Sequence, residues 1–148
     1  MDADLLVSIC LVESFFRPLS LRVCEYFVVF WSCIVSLFLH TPVKNYTIGK
    51  CQLGLAIILS FYGGGQYHHS NVVFVNGFFE IRQIFSVFFL SKSIEILAFN
   101  ISPISQRAGN IYPDKHSSKI RYIGEQFNGR YSYGLMLADV YKQIEKTN

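Results

Sequence analysis

Charge is scarce in this chain. Asp, Glu, Lys and Arg make up 16% of its 148 residues, and 13 basic against 10 acidic side chains leave a net charge of only +3. A balance so small and so evenly spread excludes the concentrated basic face that nucleic-acid binding requires. Cysteine is confined to Cys10, Cys24, Cys33 and Cys51, with no Cys-x-x-Cys pair and no Cys–His grouping at zinc spacing. A metal site is therefore not expected, and no metal or organic cofactor is called for. Buried thiols are the expected state, with disulfides as the alternative. The opening MDADLL lacks the basic region of a secretory signal, so none is expected.

A clean apolar span of about 20 residues is also missing. Tyr26–Val43 and Cys51–Phe79 carry no charge, but Ser32, Ser36, His40 and Pro42 interrupt the first. Gly63–Gly65, Gln66, His68, His69, Ser70 and Asn71 break the second. Both are expected to be buried segments of a compact domain, with one or two membrane spans as the alternative. The Gly63–Gly65 triplet is followed by no Gly-Lys-Ser/Thr, which removes the phosphate-loop reading. His68 and His69 are adjacent and point apart on any regular backbone, so they read as a solvated pair.

What the chain has in quantity is oil. Hydrophobic residues make up 51%, with 14 Phe and 9 Tyr. At this length the expectation is one domain over residues 1–148 with a single core. The stretch Leu5–Pro18 reads as a helix on which Leu6, Ile9, Cys10 and Glu13 share a face, opened by Asp2 or Asp4 as cap and ended near Pro18. Glu13 thus stands in line with an apolar stripe. Burial disfavours an ionised carboxylate, which is the property a general acid needs.

Further helices are expected over Leu19–Leu39, from about Asn76 through Phe89, as a short piece over Lys92–Ile101, over Ser117–Phe127, and over Tyr133–Lys146. Ser117 or Ser118 would cap the fourth of these. Ile101–Ser118 reads as a loop because of Pro103, Gly109, Asn110, Pro113 and Asp114. The segment Thr47-Ile48-Gly49-Lys50-Cys51-Gln52 precedes an apolar run. Thr47 can cap that run, and Gly49 allows close backbone approach. Gln52 needs a partner for its amide, either inside the fold or on a ligand. Asn128-Gly129 is a turn signal. The class is mainly α, with about six helices and little or no sheet.

Three of these pieces together resemble the lytic transglycosylases, lysozyme-like enzymes that cut peptidoglycan glycan strands. Val12-Glu13-Ser14-x-Phe16 resembles the family's helix-ending Glu-Ser motif. Ile48-Gly49-Lys50-Cys51-Gln52 resembles its Gly-Leu-Met-Gln segment in the form Gly-x-x-Gln. Phe127-Asn128-Gly129 resembles its Tyr-Asn-Ala-Gly motif and precedes a helix starting near Tyr133-Gly134.

The resemblance implies a lysozyme-like helical domain that binds peptidoglycan glycan strands, in the cell envelope or secreted, with membrane association as a further option. Glu13 would be the single catalytic acid and base. Ser14, Ile48, Gly49, Gln52, Phe127, Asn128 and Tyr131 would bind or brace the sugar. Two departures stand out: the interval from Glu13 to Gln52 is lengthened by Leu19–Leu39, and Phe127 replaces the family's Tyr. Tyr131 or Tyr133 would then supply the missing hydroxyl. The competing class is a small integral membrane protein without enzymatic activity.

Overall fold

A computed structural model describes residues 2–16, 19–49, 51–63 and 70–147. Pro18, Lys50, the glycines at 64 and 65, and the His68-His69 pair lie outside the described residues. The fold is mainly α, as the sequence implies. Among the described residues there are seven α-helices and two antiparallel two-stranded sheets. The chain divides into two compact units, one formed by residues 1–16 with 97–148 and the other by 17–96.

The first unit holds α1 (Ala3–Phe16), the later part of α5 (Leu90–Ile111), α6 (His116–Asn128) and α7 (Tyr131–Glu145). Asp2 caps α1, its Oδ1 accepting from the backbone N–H groups of Asp4 at 3.0 Å and Leu5 at 3.4 Å. The buried row of α1 is Leu5, Ser8, Ile9, Val12 and Glu13, while Leu6 and Cys10 are half-buried. The inner face is therefore turned about one position from the expected stripe, with the row through Leu5 and Val12 deepest.

The expected loop over Ile101–Ser118 is corrected. α5 runs through Pro103 to Ile111. The proline removes one intrahelical donor, but Ile96, Leu97, Ile101 and Ala108 are fully buried along one side, and that packing outweighs a local breaker. The chain leaves the helix only at Tyr112, before Pro113. α6 begins at His116 after Lys115, with no side-chain cap, so the Ser117 or Ser118 cap is not made. It ends as expected at Gly129, whose φ of 75° is the left-handed conformation that glycine adopts freely. The buried row of α7 is Tyr133, Gly134, Leu137 and Tyr141.

The second unit contains α2 (Leu19–Leu39), β1 (Val43–Lys44), β2 (Thr47–Ile48), β3 (Leu53–Gly54), α3 (Leu55–Gly63), β4 (Val72–Val73), α4 (Phe78–Phe85), a 3₁₀ turn over Ser86–Phe88 and the start of α5. β1 pairs with β4 (Val43 opposite Val73) and β2 with β3 (Ile48 opposite Leu53).

Asn45 ties this region together. Its backbone N–H donates to Asn71 O at 3.0 Å and its Nδ2 to Ser70 O at 3.1 Å, while its Oδ1 accepts from Ala56 N–H at 2.9 Å in the first turn of α3. Asn45, and not Thr47, supplies the side-chain oxygen at the start of that helix. α3 is the central element, with Leu55, Ala56, Ile58, Leu59 and Ser60 all buried. The helix expected from Asn76 to Phe89 is shorter. It starts after an extended Gly77, tightens into the 3₁₀ turn at Ser86 and stops at Phe89, whose backbone is extended.

The expectation that Leu19–Leu39 is a buried helix is also corrected. Val29, Cys33 and Ser36 are buried on α2, but Leu21, Phe27, Trp31, Val35 and Phe38 are exposed. Ser36 Oγ accepts from Val75 N–H at 3.1 Å on the covered side.

Candidate active site

The Glu13 carboxylate belongs to a side chain only 7% exposed, in the last turn of α1. It is held there by the inner row Leu5–Ile9–Val12, which packs toward α7. At the other end of α1 Tyr141 Oη donates to Asp2 Oδ2 at 2.6 Å. The first turn of α7 and the Asn128-Gly129 corner belong to the same unit as Glu13.

In this unit Phe127 is half-buried and Asn128 and Ser14 are exposed. Tyr131 is 60% exposed, with the Arg121 guanidinium 5.4 Å from its ring centre. Tyr133 is the buried tyrosine, its ring centre 6.1 Å from that of Phe127. Of the two candidates for the missing hydroxyl, Tyr133 is the one directed into the unit and Tyr131 is a surface residue. Tyr141 is held above the ordinary phenol range, first by burial and then by its bond to Asp2.

Ile48, Gly49 and Gln52 lie in the second unit, Ile48 at the end of β2 and the other two in the turn that joins it to β3. Gly49 has φ 85°, and a Cβ there would come within 3.1 Å of the Val87 side chain. The close approach expected of this glycine is met by Val87. Gln52 is 9% exposed and has φ 49°. Its Nε2 donates to Gly49 O at 3.2 Å, and its Oε1 accepts from Thr47 Oγ1 at 3.2 Å. The amide thus crosslinks its own hairpin, leaving one N–H hydrogen and one lone pair for anything else. Cys51 and Ile48 are buried beside it.

Two concavities lie apart from these residues. One, of about 390 Å³, lies in the second unit and is lined by Trp31, Ser32, Thr41, Lys44 and Tyr46. The other, of about 530 Å³, lies in the first unit between α5 and α6, lined by Ser102, Ser105, Gln106, Gly109 and Lys119. The available signals were a lone Trp in the uncharged stretch Tyr26–Val43 and polar or small residues at helical spacing on either side of Pro103. Among the described residues no cluster of three or more His, Cys, Asp or Glu side chains is placed to hold a metal ion. Compared with protein-family models, with curated proteins and with solved structures, the chain has no match.

Proposed function

We propose that this chain cleaves peptidoglycan glycan strands by a lytic transglycosylase-like mechanism with Glu13 as its one acid and base. The observation that carries the reading is the burial of Glu13 on the inner face of α1. The reading asks Glu13 to carry a proton when the sugar binds, as a general acid must.

In this reading Glu13 gives its proton to the bridging oxygen as the glycosidic C–O bond breaks. The resulting carboxylate takes the proton of the muramoyl 6-hydroxyl, and that oxygen bonds to its own anomeric carbon. The product end is a 1,6-anhydromuramoyl residue, and Glu13 regains its proton. Intramolecular attack requires neither a second carboxylate nor a bound water and gains from proximity. Asn128, Ser14, Phe127 and Tyr131, in the same unit as Glu13, would bind or brace the sugar. Tyr133 would orient the acid in place of the family's Tyr.

Mass spectrometry of purified peptidoglycan after digestion tests this. Anhydromuramoyl ends are expected, while reducing ends would make the chain a hydrolase. No products would favour the second reading, a membrane protein without enzymatic activity, whose support is the exposed apolar surface of α2.

A further inference from the structure

We infer that the second unit binds a lipid bilayer through α2, which lies in the plane of the membrane interface with its exposed apolar arc in the acyl boundary. Over Ser20–Leu39 only 17% of the apolar window is buried inside the protein. The covered stripe is as narrow as Val29, Cys33 and Ser36. Around it Leu21, Phe27, Trp31, Val35 and Phe38 face outward on several sides of the helix. The surface continues off the helix, because the Tyr26 ring stacks on Phe88 with centres 4.3 Å apart, and Phe88 and Phe89 are exposed in turn.

The width of this arc identifies the occupant. A second copy or a partner helix covers one seam, about two positions in seven, and would leave most of these side chains in water. Lipid covers the whole arc at once. The charges agree with that choice. The uncharged stretch from Tyr26 to Val43 is flanked by Arg22 and Glu25 on one side and by Lys44 on the other, a small basic excess, and the chain as a whole carries +3, which favours an anionic leaflet.

The neighbours of α2 decide between lying in a membrane and crossing it. β1 and β2 pack beside the helix, and each belongs to a sheet of only two strands. Each strand therefore has an outer edge whose N–H and C=O groups require water, which the hydrocarbon core does not offer. An in-plane helix keeps those edges in the aqueous and headgroup layers. This inference does not depend on glycan cleavage and would hold for an inactive chain.

Trp31, the chain's single tryptophan, lies in the arc at 62% exposure and reports on it directly. The test is flotation of the full chain with phosphatidylcholine/phosphatidylglycerol vesicles, with Trp31 emission followed in the same samples. The expected result is co-flotation, a blue shift, and stronger quenching by lipids brominated near the headgroup than by lipids brominated near the chain ends. The paired substitution Phe27→Ser, Phe38→Ser alters only exposed side chains and is expected to weaken vesicle binding at least tenfold with the helical circular-dichroism spectrum retained. Folded protein that stays in the aqueous fraction with unchanged emission would overturn the inference. So would a lipid-free dimer that shields Trp31 equally well. Strongest quenching by the deep bromines would overturn the in-plane placement.

Discussion

Gly124 and Gly134 bring α6 and α7 into backbone contact. A Cβ on Gly124 would stand 2.8 Å from the Gly134 Cα, and a Cβ on Gly134 would run into the Arg121 carbonyl oxygen and the Glu125 side chain. The Glu125 side chain can rotate aside, but the Arg121 carbonyl is helix backbone and cannot. Gly134→Ala is expected to lower stability by about 1–3 kcal/mol through overpacking, despite the better helix propensity of alanine. Gly109→Ala on α5 is the control. Its Cβ would meet only the Lys119 Nζ at 3.9 Å, so a gain of up to about 1 kcal/mol is expected. Urea denaturation of both variants checks this, and equal effects would mean that the α6–α7 crossing is loose.

The bond from Tyr141 to Asp2 ties the last helix to the first. Tyr141→Phe keeps the ring and removes the bond, so a loss of about 1 kcal/mol is expected at neutral pH. The sign with pH follows from the raised ionisation of Tyr141 in the folded chain. The contribution is complete below the unfolded phenol value of about 10 and is lost as pH climbs beyond it. The stability gap between the native chain and the Phe variant should narrow above pH 10. A gap that stayed constant from pH 8 to 11 would count against the bond.

Two thiols of α2 should behave oppositely. Cys24 is exposed, while burial pushes the Cys33 thiol up to about 11. The thiolate is the reacting form, so maleimide should modify Cys33 at least about a hundredfold more slowly than Cys24 at pH 7.5. Peptide mass spectrometry over a time course reads both sites. Comparable rates would show that the Val29–Cys33–Ser36 stripe is not packed.

Glu13→Gln is close to isosteric and removes the titratable group. Glycan cleavage should fall by at least about a hundredfold, the lower end of what a positioned general acid contributes, with the helical circular-dichroism spectrum unchanged. Full residual cleavage would take Glu13 out of the mechanism. Tyr133→Phe should give a smaller loss that also displaces the acid limb of the pH profile. A uniform fall at every pH would make Tyr133 a packing residue only.

How far the sequence could be read depended on whether local chemistry or packing decided each element. Asp2, Gly129 and Gly49 were legible because a cap, a left-handed corner and a close approach each require a particular residue type. The burial of Glu13 was legible from helical spacing alone. Pro103 misled, because its local cost is overruled by buried neighbours far along the chain. α2 misled for the opposite reason: hydropathy measures how oily a helix is, not whether protein covers it. At Gln52 the spacing showed that a buried amide would need partners. That Thr47 and Gly49 supply two of them depends on the hairpin register, which no periodicity encodes.

The corner at Asn128 and Gly129 bears on how the protein ages. Asn-Gly pairs degrade when the glycine's backbone nitrogen attacks the asparagine carboxamide and closes a succinimide ring. Here the Gly129 N–H is donated to Glu125 O at 2.7 Å, which fixes the nitrogen at the end of a helical turn. Ring closure would first have to unwind that turn. An intact α6 terminus therefore acts as a chemical preservative for Asn128, and conversion to aspartate there would mark molecules in which the end of the helix has frayed.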